Sequence, residues 1–269
     1  MIKLNGKIVN FKHFPNNEVY FNESELDISN LLYFLDFKFQ DNSDLIELMF
    51  LKKYLDDQYP YAYIHLMIYY MPYSRMDRKI SDYPFTLKYV SDFMNWLDFS
   101  KIYIIEAHSE ATMDLIPESY SHSVLSDLIN KANISQSDFV FYPDKGARDR
   151  YKSLNLLTNK ILYANKERDL SNGKIIKYEL VGDVKNNNGS KVFIIDDLCS
   201  AGGTFMHASK LLKDKGFNEI YLIVTHMEDQ MFKNGQLLNN DLIKKIYTTN
   251  SILSDDMFAH DKVDVYKIF

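Results

Sequence analysis

Residues 191–204 read Lys-Val-Phe-Ile-Ile-Asp-Asp-Leu-Cys-Ser-Ala-Gly-Gly-Thr. The apolar run predicts a buried strand, and the glycines predict a tight turn that opens a helix. The backbone N–H groups of such a turn, with those of the helix N-terminus, form a cradle for a phosphate group. Asp196 and Asp197 add two carboxylates, which can bind sugar hydroxyls or Mg²⁺. The stretch favours a sugar phosphate ligand, but a strand followed by glycine is also common wherever parallel sheets meet helices.

The glycine spacing excludes two better-known phosphate motifs. The chain contains no Gly-x-x-x-x-Gly-Lys-Ser/Thr, and it has no Gly-x-Gly-x-x-Gly after a strand. The first motif marks nucleoside triphosphatases and the second marks dinucleotide-binding domains. Neither class therefore describes this chain.

Composition predicts a cytoplasmic globular protein. Of 269 residues, 46 % are hydrophobic and 25 % charged, and the net charge is −6, so the chain as a whole offers no basic surface for nucleic acid. The N-terminus does not resemble a signal sequence, and the apolar run Tyr61–Tyr73 is too short to cross a bilayer, so no membrane partner is expected. The one cysteine, Cys199, cannot form an intrachain disulfide, and we interpret it as a small loop residue rather than a reactive thiol.

Apolar strands alternate with helical stretches along the chain. The predicted strands are Tyr61–Tyr69, Lys101–Ile105, Phe139–Tyr142, Lys191–Ile195 and Ile220–Val224, and the clearest predicted helices are Phe85–Leu97 and Phe205–Lys215. This alternation predicts an α/β fold with parallel sheets covered on both faces. The polar segment Asn130–Asp138 predicts a boundary between two domains, residues 1–132 and 133–269.

Acidic or histidine side chains follow four of the predicted strands. Glu106 and His108 follow one strand and Asp144 another, in addition to Asp196 with Asp197 and to Thr225-His226. Ligands of parallel α/β sheets gather at the carboxyl ends of the strands. These positions are therefore the candidate ligand-binding residues.

Taken in order, these segments resemble the ribose-phosphate diphosphokinases, also called phosphoribosyl pyrophosphate synthetases. The resembling segments are Phe14 to Glu18, Tyr69 to Lys79, Glu106 to Ser109, Tyr142 to Gly146, Asn165 to Arg168, Val181 to Val184, Asp196 to Thr204 and Thr225-His226. The resemblance implies two phosphoribosyltransferase-like domains, each with a mainly parallel sheet flanked by helices. It implies that residues 1–132 bind ATP and that residues 133–269 bind the sugar phosphate.

The resemblance also implies a role for each matching residue. ATP is expected to contact Phe14, Asn16, Glu18, Arg75, Asp77 and His108. The sugar phosphate is expected to contact Asp144, Asp196, Asp197, Ser200, Ala201, Gly202, Gly203 and Thr204. Lys166 and Arg168 are the expected catalytic residues on a mobile flap, and His108 and Asp144 the expected contacts of Mg²⁺. Without the resemblance, a solvated surface run would be the simpler interpretation of Lys166 to Arg168, and a packed or capping role that of His108.

Several positions depart from the family pattern. Asn16 and Asn17 replace aspartate and glycine, Met76 replaces glutamine, Glu106 replaces aspartate, and Ser200-Ala201 replaces Asp-Thr. Loss of the threonine hydroxyl removes a hydrogen-bond donor to a phosphate, typically worth about 1 kcal/mol. The departures leave more than one acceptor open.

The resemblance implies transfer of the β,γ-diphosphate of ATP to the anomeric hydroxyl of ribose 5-phosphate, with release of AMP. One alternative acceptor is ADP-ribose, as in the ADP-ribose pyrophosphate synthetases that serve NAD rebuilding in phages. Two further alternatives are a non-catalytic partner that regulates a synthetase and a phosphoribosyltransferase, although the first-half motifs fit an ATP user better. The family also implies a homo-oligomer, either a dimer or a hexamer.

Overall fold

The computed structural model divides the chain into two compact units. The first consists of Met1–Ser123 with Phe269, and the second of Val124–Ile268. The described residues are 1–28, 31–168, 175–185, 187, 189–235, 237–254, 257 and 260–269. The division comes before helix Leu125–Ala132, whereas the sequence placed a boundary after it, because Leu125 and Leu128 pack in a core of the second unit.

The first unit is an α/β unit with a predominantly parallel sheet. Its strands are β1 (Ile2–Leu4), β2 (Lys7–Ile8), β3 (Phe11–His13), β4 (Val19–Phe21), β5 (Leu32–Phe37), β6 (Tyr63–Ile68), β7 (Lys101–Ile105) and β8 (Ser119–His122), and its helices are α1 (Ser43–Gln58), α2 (Thr86–Leu97) and α3 (Glu110–Leu115). The main sheet has the order β2-β1-β5-β6-β7-β8, with β5 to β8 mutually parallel. Strands β3 and β4 form a separate antiparallel hairpin.

Alternation along β5 determines which face of the first sheet is buried. Tyr33, Leu35 and Phe37 are fully buried, and Leu48 of α1 packs in the same core. Phe34 points to the opposite face and remains 49 % exposed. Period-two alternation places successive side chains on opposite faces. The helices therefore cover one face of this sheet more completely than the other.

The second unit is built around a longer sheet. Its strands are β9 (Phe139–Tyr142), β10 (Ile161–Arg168), β11 (Ile175–Val181), β12 (Lys191–Cys199), β13 (Glu219–Met227), β14 (Lys245–Thr249) and β15 (Val263–Tyr266), and its helices are α4 (Leu125–Ala132), α5 (Lys145–Arg150), α6 (Gly203–Asp214) and α7 (Gln230–Asn234). The order is β11-β10-β9-β12-β13-β14-β15, and only β11 pairs antiparallel to its neighbour within the described strands. No helix within these described ranges is long and apolar enough to span a membrane.

Strand β12 is the centre of the second unit. Val192 and Ile194 pack in the core that contains α6, whereas Phe193 and Ile195 pack in the core that contains α4. All four side chains are buried. A strand buried on both faces needs a continuous apolar run rather than an alternating one. The prediction of a doubly covered parallel strand is therefore confirmed here.

Strand β12 is longer than its apolar run. The sequence predicted that it would end at Ile195, but parallel pairing with β13 continues to the pair Cys199 and Met227. Asp196 and Asp197 therefore lie within the strand rather than after it. The reason is tertiary, because ladder hydrogen bonds to β13 compensate for the low strand propensity of aspartate.

Candidate active site

The glycine turn after β12 is closely packed on one side and open on the other. Gly202 adopts φ +84°, and a Cβ atom there would lie 2.8 Å from Leu237, so this position requires glycine for both conformation and space. A Cβ atom on Gly203, the first residue of α6, would meet nothing within 4 Å. The turn thus has a fixed backbone and an open side at a helix N-terminus, which is the arrangement suited to an anion.

The other predicted phosphate-binding residues flank the two glycines in the same turn. Ser200 and Ala201 form the bend between β12 and α6, and Thr204 follows in the first turn of the helix. Ala201 is exposed, whereas Ser200 and Thr204 are half-buried. The structure therefore brings the predicted phosphate-binding residues together in one turn. Their contact with a phosphate stays a prediction.

Arg150, which no sequence motif indicated, pairs with the two aspartates of β12. Its Nη1 atom lies 2.8 Å from Oδ1 of Asp197 and 3.8 Å from Oδ1 of Asp196. The Asp197 side chain is only 5 % exposed, and that of Asp196 is 17 % exposed. Arg150 lies at the end of α5, whose first turn is capped by Asp144. The sequence did contain one signal for this residue, which is a basic side chain at the end of the short helix that Asp144 caps.

Burial and neighbouring charges make this group of carboxylates electrostatically strained. The pKa of Asp196 is raised well above its ordinary value by burial and then by the charges of Asp197 and Asp144, which outweigh the opposing effect of Arg150. Burial alone lowers the pKa of Arg150, but the charges of Asp197 and Asp196 raise it above its ordinary value overall. Two carboxylates thus act on one guanidinium, and a third, Asp144, acts on Asp196. Such a site favours ligands that bring hydroxyl donors or a cation.

We expect Arg150→Met to destabilise the protein by about 3 kcal/mol, because a largely buried carboxylate is costly once its cation is removed. The free energy of unfolding at pH 7, measured by urea denaturation, tests this expectation. Arg148→Met is the matched control on the same helix, because Arg148 pairs with the exposed Asp149 at 2.6 Å. Equal losses of unfolding free energy in the two variants would show that the Arg150 ion pair stabilises the protein no more than the exposed pair of Arg148 and Asp149.

The hairpin of β10 and β11 carries Lys166 to the same edge of the sheet. Lys166 is directly opposite Tyr178 in the antiparallel ladder, and opposite residues share a face. The Tyr178 hydroxyl donates to the carbonyl oxygen of Pro143 at 3.1 Å, beside Asp144. Burial, followed by the charges of Asp144 and Asp196, raises the Tyr178 pKa. Lys166 therefore lies opposite a tyrosine whose hydroxyl contacts the backbone next to Asp144.

Arg168 ends strand β10, and its side chain lies outside the described part of the structure. Its backbone pairs with Ile175 after an irregularity in the ladder between Glu167 and Arg168. The segment that was expected to be a flap is thus the end of a hairpin. Its catalytic role, like that of Lys166, stays a prediction.

Asp144 follows β9 and caps α5. Its Oδ1 atom accepts a hydrogen bond from the backbone N–H of Ala147 at 2.9 Å. Across the described ranges, no group of three or more His, Cys, Asp or Glu side chains is arranged to hold a metal ion. Mg²⁺ often binds to only one or two carboxylates together with substrate phosphates. Asp144, whose charge acts on Asp196, fits that mode of binding.

The adenine-binding candidates of the first unit share one hairpin turn. Phe14, Asn16 and Glu18 lie between β3 and β4 and are exposed, and the ring of Phe14 packs against Tyr20 at 4.6 Å between centroids. Asn17 adopts φ +68°, a left-handed conformation that asparagine tolerates better than most residues. This tolerance explains why asparagine can replace the glycine of the family pattern.

The other candidates of the first unit follow neighbouring strands. Arg75 and Asp77 lie in the segment after β6, with Arg75 exposed, and the half-buried His108 lies between β7 and α3. Glu106, just before His108, is buried at φ +45° and accepts a hydrogen bond from Ser123 Oγ at 2.7 Å. His108 belongs to the first unit and Asp144 to the second. Their joint contact with Mg²⁺ stays a prediction.

Comparison with known proteins shows what this chain is similar to. Residues 168–268 match the family model of the phosphoribosyl synthetase-associated domain. The ribose-phosphate pyrophosphokinases of Pyrococcus abyssi and Sulfolobus acidocaldarius are 26 % and 28 % identical to this chain, and each match covers 93 % of this chain and 87 % of the relative. These matches extend through both units.

The fold comparison extends over nearly the whole chain. The crystal structure of phosphoribosylpyrophosphate synthetase from Mycobacterium smegmatis superposes with a TM-score of 0.75 at 20 % identity, covering 97 % of this chain and 86 % of that one. The predicted α/β fold with two phosphoribosyltransferase-like domains is thereby confirmed. The motifs in family order and the relatives matched across both units support the resemblance of this chain to the ribose-phosphate pyrophosphokinase family.

Proposed function

We propose that this protein is a diphosphotransferase that moves the β,γ-diphosphate of MgATP to the anomeric hydroxyl of ribose 5-phosphate. The products are phosphoribosyl diphosphate and AMP. The observation that carries the proposal is the carboxyl end of β12, where Asp196 and Asp197 lie in the second half of the strand before an open glycine turn. A sugar phosphate offers hydroxyls to the carboxylates and an anion to the turn.

Each group of the second unit has a distinct task in this proposal. The backbone N–H groups at Gly203 and Thr204 bind the 5-phosphate, and Asp196 and Asp197 accept hydrogen bonds from sugar hydroxyls. Lys166 contacts the migrating diphosphate and stabilises the charge that builds on its oxygens in the transition state. Holding the acceptor in one orientation also removes part of the entropic barrier to attack.

Mg²⁺ and ATP complete the proposed reaction. Asp144 and His108 would hold the metal with the help of substrate phosphates, and the bound metal would neutralise phosphate charge and polarise the reacting phosphoryl group. In the first unit, Arg75 would pair with nucleotide phosphates and the exposed ring of Phe14 would contact adenine. Asn16, Glu18 and Asp77 belong to the same proposed ATP site. Homo-oligomeric assembly and a cytoplasmic location stay predictions.

Incubation with MgATP and one acceptor at a time tests the proposal. Mass spectrometry should detect AMP and phosphoribosyl diphosphate with ribose 5-phosphate, and neither product without an acceptor. ADP-ribose is the second arm, since Ala201 lacks the hydroxyl that the family turn supplies to a phosphate. AMP formed with ADP-ribose alone would transfer the assignment to that acceptor. Absence of AMP with both would contradict the proposed function.

We expect Gly203→Ala to raise the KM for ribose 5-phosphate by about 10-fold, since displacing a charge-assisted hydrogen bond costs about 1.5–3 kcal/mol. The added methyl group meets no protein atom within 4 Å and would project into the open side of the turn. The thermal midpoint of unfolding should therefore stay the same or rise slightly. Steady-state kinetics and a melting curve together test this. An unchanged KM would show that the phosphate does not approach Gly203.

A further inference from the structure

A carboxylate outside the matched motifs lies at the edge of the glycine turn. Glu228 directly follows β13, and its backbone N–H donates to the carbonyl oxygen of Cys199 at 2.9 Å. The hydroxyl of Ser200 donates to the Glu228 carboxylate. Met227 and Cys199 are paired in the ladder, so the position of Glu228 is fixed by the strands themselves. Strand pairing and the Ser200 hydrogen bond therefore hold the Glu228 carboxylate at the turn.

The Glu228 carboxylate disfavours anion binding, which the helix N-terminus at this turn favours. The helix N-terminus attracts anions, whereas Glu228 adds a negative charge at Ser200, three residues before Gly203 in the same turn. The Ser200 hydroxyl already donates to Glu228, and Ala201 has no hydroxyl to offer. The turn therefore presents the Glu228 carboxylate, which repels an anion, and the Ser200 hydroxyl is directed at that carboxylate. The repulsion increases with the number of charges on the phosphate.

The charge on a 5-phosphate depends on how it is esterified. A phosphomonoester carries about 1.5 to 2 negative charges at pH 7 because its second pKa is about 6. A phosphodiester has no second ionisable proton and carries a single charge. The two ligands present similar oxygens to the backbone N–H groups, so a nearby carboxylate distinguishes them mainly by charge.

We propose that Glu228 is a specificity-determining residue of the acceptor site. It weakens binding of a ribose whose 5-phosphate is a free, doubly charged monoester, relative to a ribose whose 5-phosphate is a singly charged diester. This inference rests on the proposed function in one respect, that the turn binds the 5-phosphate of the acceptor. It goes further in assigning acceptor selection to a residue outside the matched motifs.

Glu228→Gln tests the inference, because it removes the charge and keeps the shape. Calorimetric titration without ATP uses three probes: inorganic phosphate, ribose 5-phosphate and the methyl ester of ribose 5-phosphate. The variant should bind ribose 5-phosphate and inorganic phosphate about 10-fold more tightly than the native protein, and the methyl ester less than 3-fold more tightly, as expected for a like charge removed near an anion site. Glu219→Gln is the matched control at the opposite end of β13, about 30 Å away along the strand. It should change none of the three affinities.

Ser200→Ala distinguishes the effect of the Glu228 charge from the effect of the Ser200 hydroxyl. It leaves the Glu228 carboxylate in place, so the affinity for ribose 5-phosphate should not increase. Comparing the two ligands within each protein adds a second test, because the affinity for ribose 5-phosphate relative to the methyl ester should be higher in Glu228→Gln than in the native protein. The inference is overturned by equal ribose 5-phosphate affinities in the native and Glu228→Gln proteins, by weaker binding in the variant, or by absence of phosphate binding in both.

The same titrations keep this inference distinct from the proposed reaction. If no acceptor yields AMP but Glu228→Gln still binds inorganic phosphate about 10-fold more tightly, the reaction assignment fails and the role of Glu228 stands. If AMP forms with ribose 5-phosphate but the variant shows no gain in affinity, the reaction stands and the role of Glu228 fails.

Discussion

Lys166→Ala is expected to lower kcat for AMP formation by about 1,000-fold, the effect of removing one group that stabilises transition-state charge. The Kd for MgATP should change by less than about 3-fold, because such a group interacts with the reacting oxygens more strongly in the transition state than in the ground state. Lys166 shares a sheet face with Tyr178, whose hydroxyl reaches Pro143 beside Asp144. Rapid quench with ATP labelled in the β-phosphate, together with equilibrium binding of ATP, measures both quantities.

Lys160→Ala is the matched control for this prediction. Lys160 immediately precedes β10, and its ammonium donates to the carbonyl oxygen of Ser137 at 2.9 Å. It lies about 20 Å from Lys166 along the strand, so its removal changes the net charge equally without touching the carboxylates. Activity should remain near the native value. Similar losses in the two variants would argue against a local role for Lys166.

The same pair of measurements addresses the regulatory alternative. A non-catalytic nucleotide-binding protein would release no AMP in the native form, and Lys166→Ala would then affect binding alone. Arg168→Ala is expected to behave like Lys166→Ala if both cations serve the migrating diphosphate. Loss of ATP binding in parallel with loss of turnover would contradict the transition-state role of this segment.

Asp196→Asn is expected to make the protein more stable and less active. The pKa of Asp196 is raised in the folded state by burial and by the charges of Asp197 and Asp144. A raised carboxyl pKa means that ionisation costs more in the folded chain than in the unfolded chain, so stability increases as the pH falls through the folded pKa. The neutral amide removes this cost at pH 7. Loss of a hydrogen bond from a sugar hydroxyl to a charged acceptor should lower kcat/KM for ribose 5-phosphate about 10- to 100-fold.

Urea denaturation between pH 5 and pH 8, combined with steady-state kinetics, tests both parts of this prediction. The native protein should lose stability toward the upper end of this range relative to the variant, and the difference should narrow at lower pH. Asp149→Asn is the control of opposite sign, because a hydrogen bond from Arg148 lowers the pKa of Asp149. That variant should gain no stability. A destabilised Asp196→Asn protein would show that Asp196 serves the fold rather than the ligand.

Local sequence patterns were enough to predict the core strands and the glycine turn. The run Val192 to Ile195 is apolar at every position, and only a strand covered on both faces uses such a run. Gly202 and Gly203 predicted a turn into a helix, and the structure has that turn. These predictions succeeded because strand burial and glycine conformation depend mainly on neighbouring residues.

The position of α4 and the length of β12 could not be derived in the same way. The segment Leu125–Ala132 has an amphipathic pattern, but the pattern does not state which sheet its apolar face will cover. Likewise, Asp196 and Asp197 have low strand propensity, and only pairing with β13 keeps them in the strand. Both outcomes depend on partners far away in the sequence.

The sequence alone determined the fold class, the family resemblance and the order of the chemical groups along the chain, because these follow from hydrophobic periodicity and from short motifs. Only the tertiary structure decided that Arg150 neutralises Asp197 and that Glu228 receives the hydroxyl of Ser200. It likewise placed Lys166 opposite Tyr178. Each of these contacts joins residues that are not neighbours in the sequence. Electrostatic strain and ligand selection depend on distances between such residues, and a linear pattern does not contain those distances.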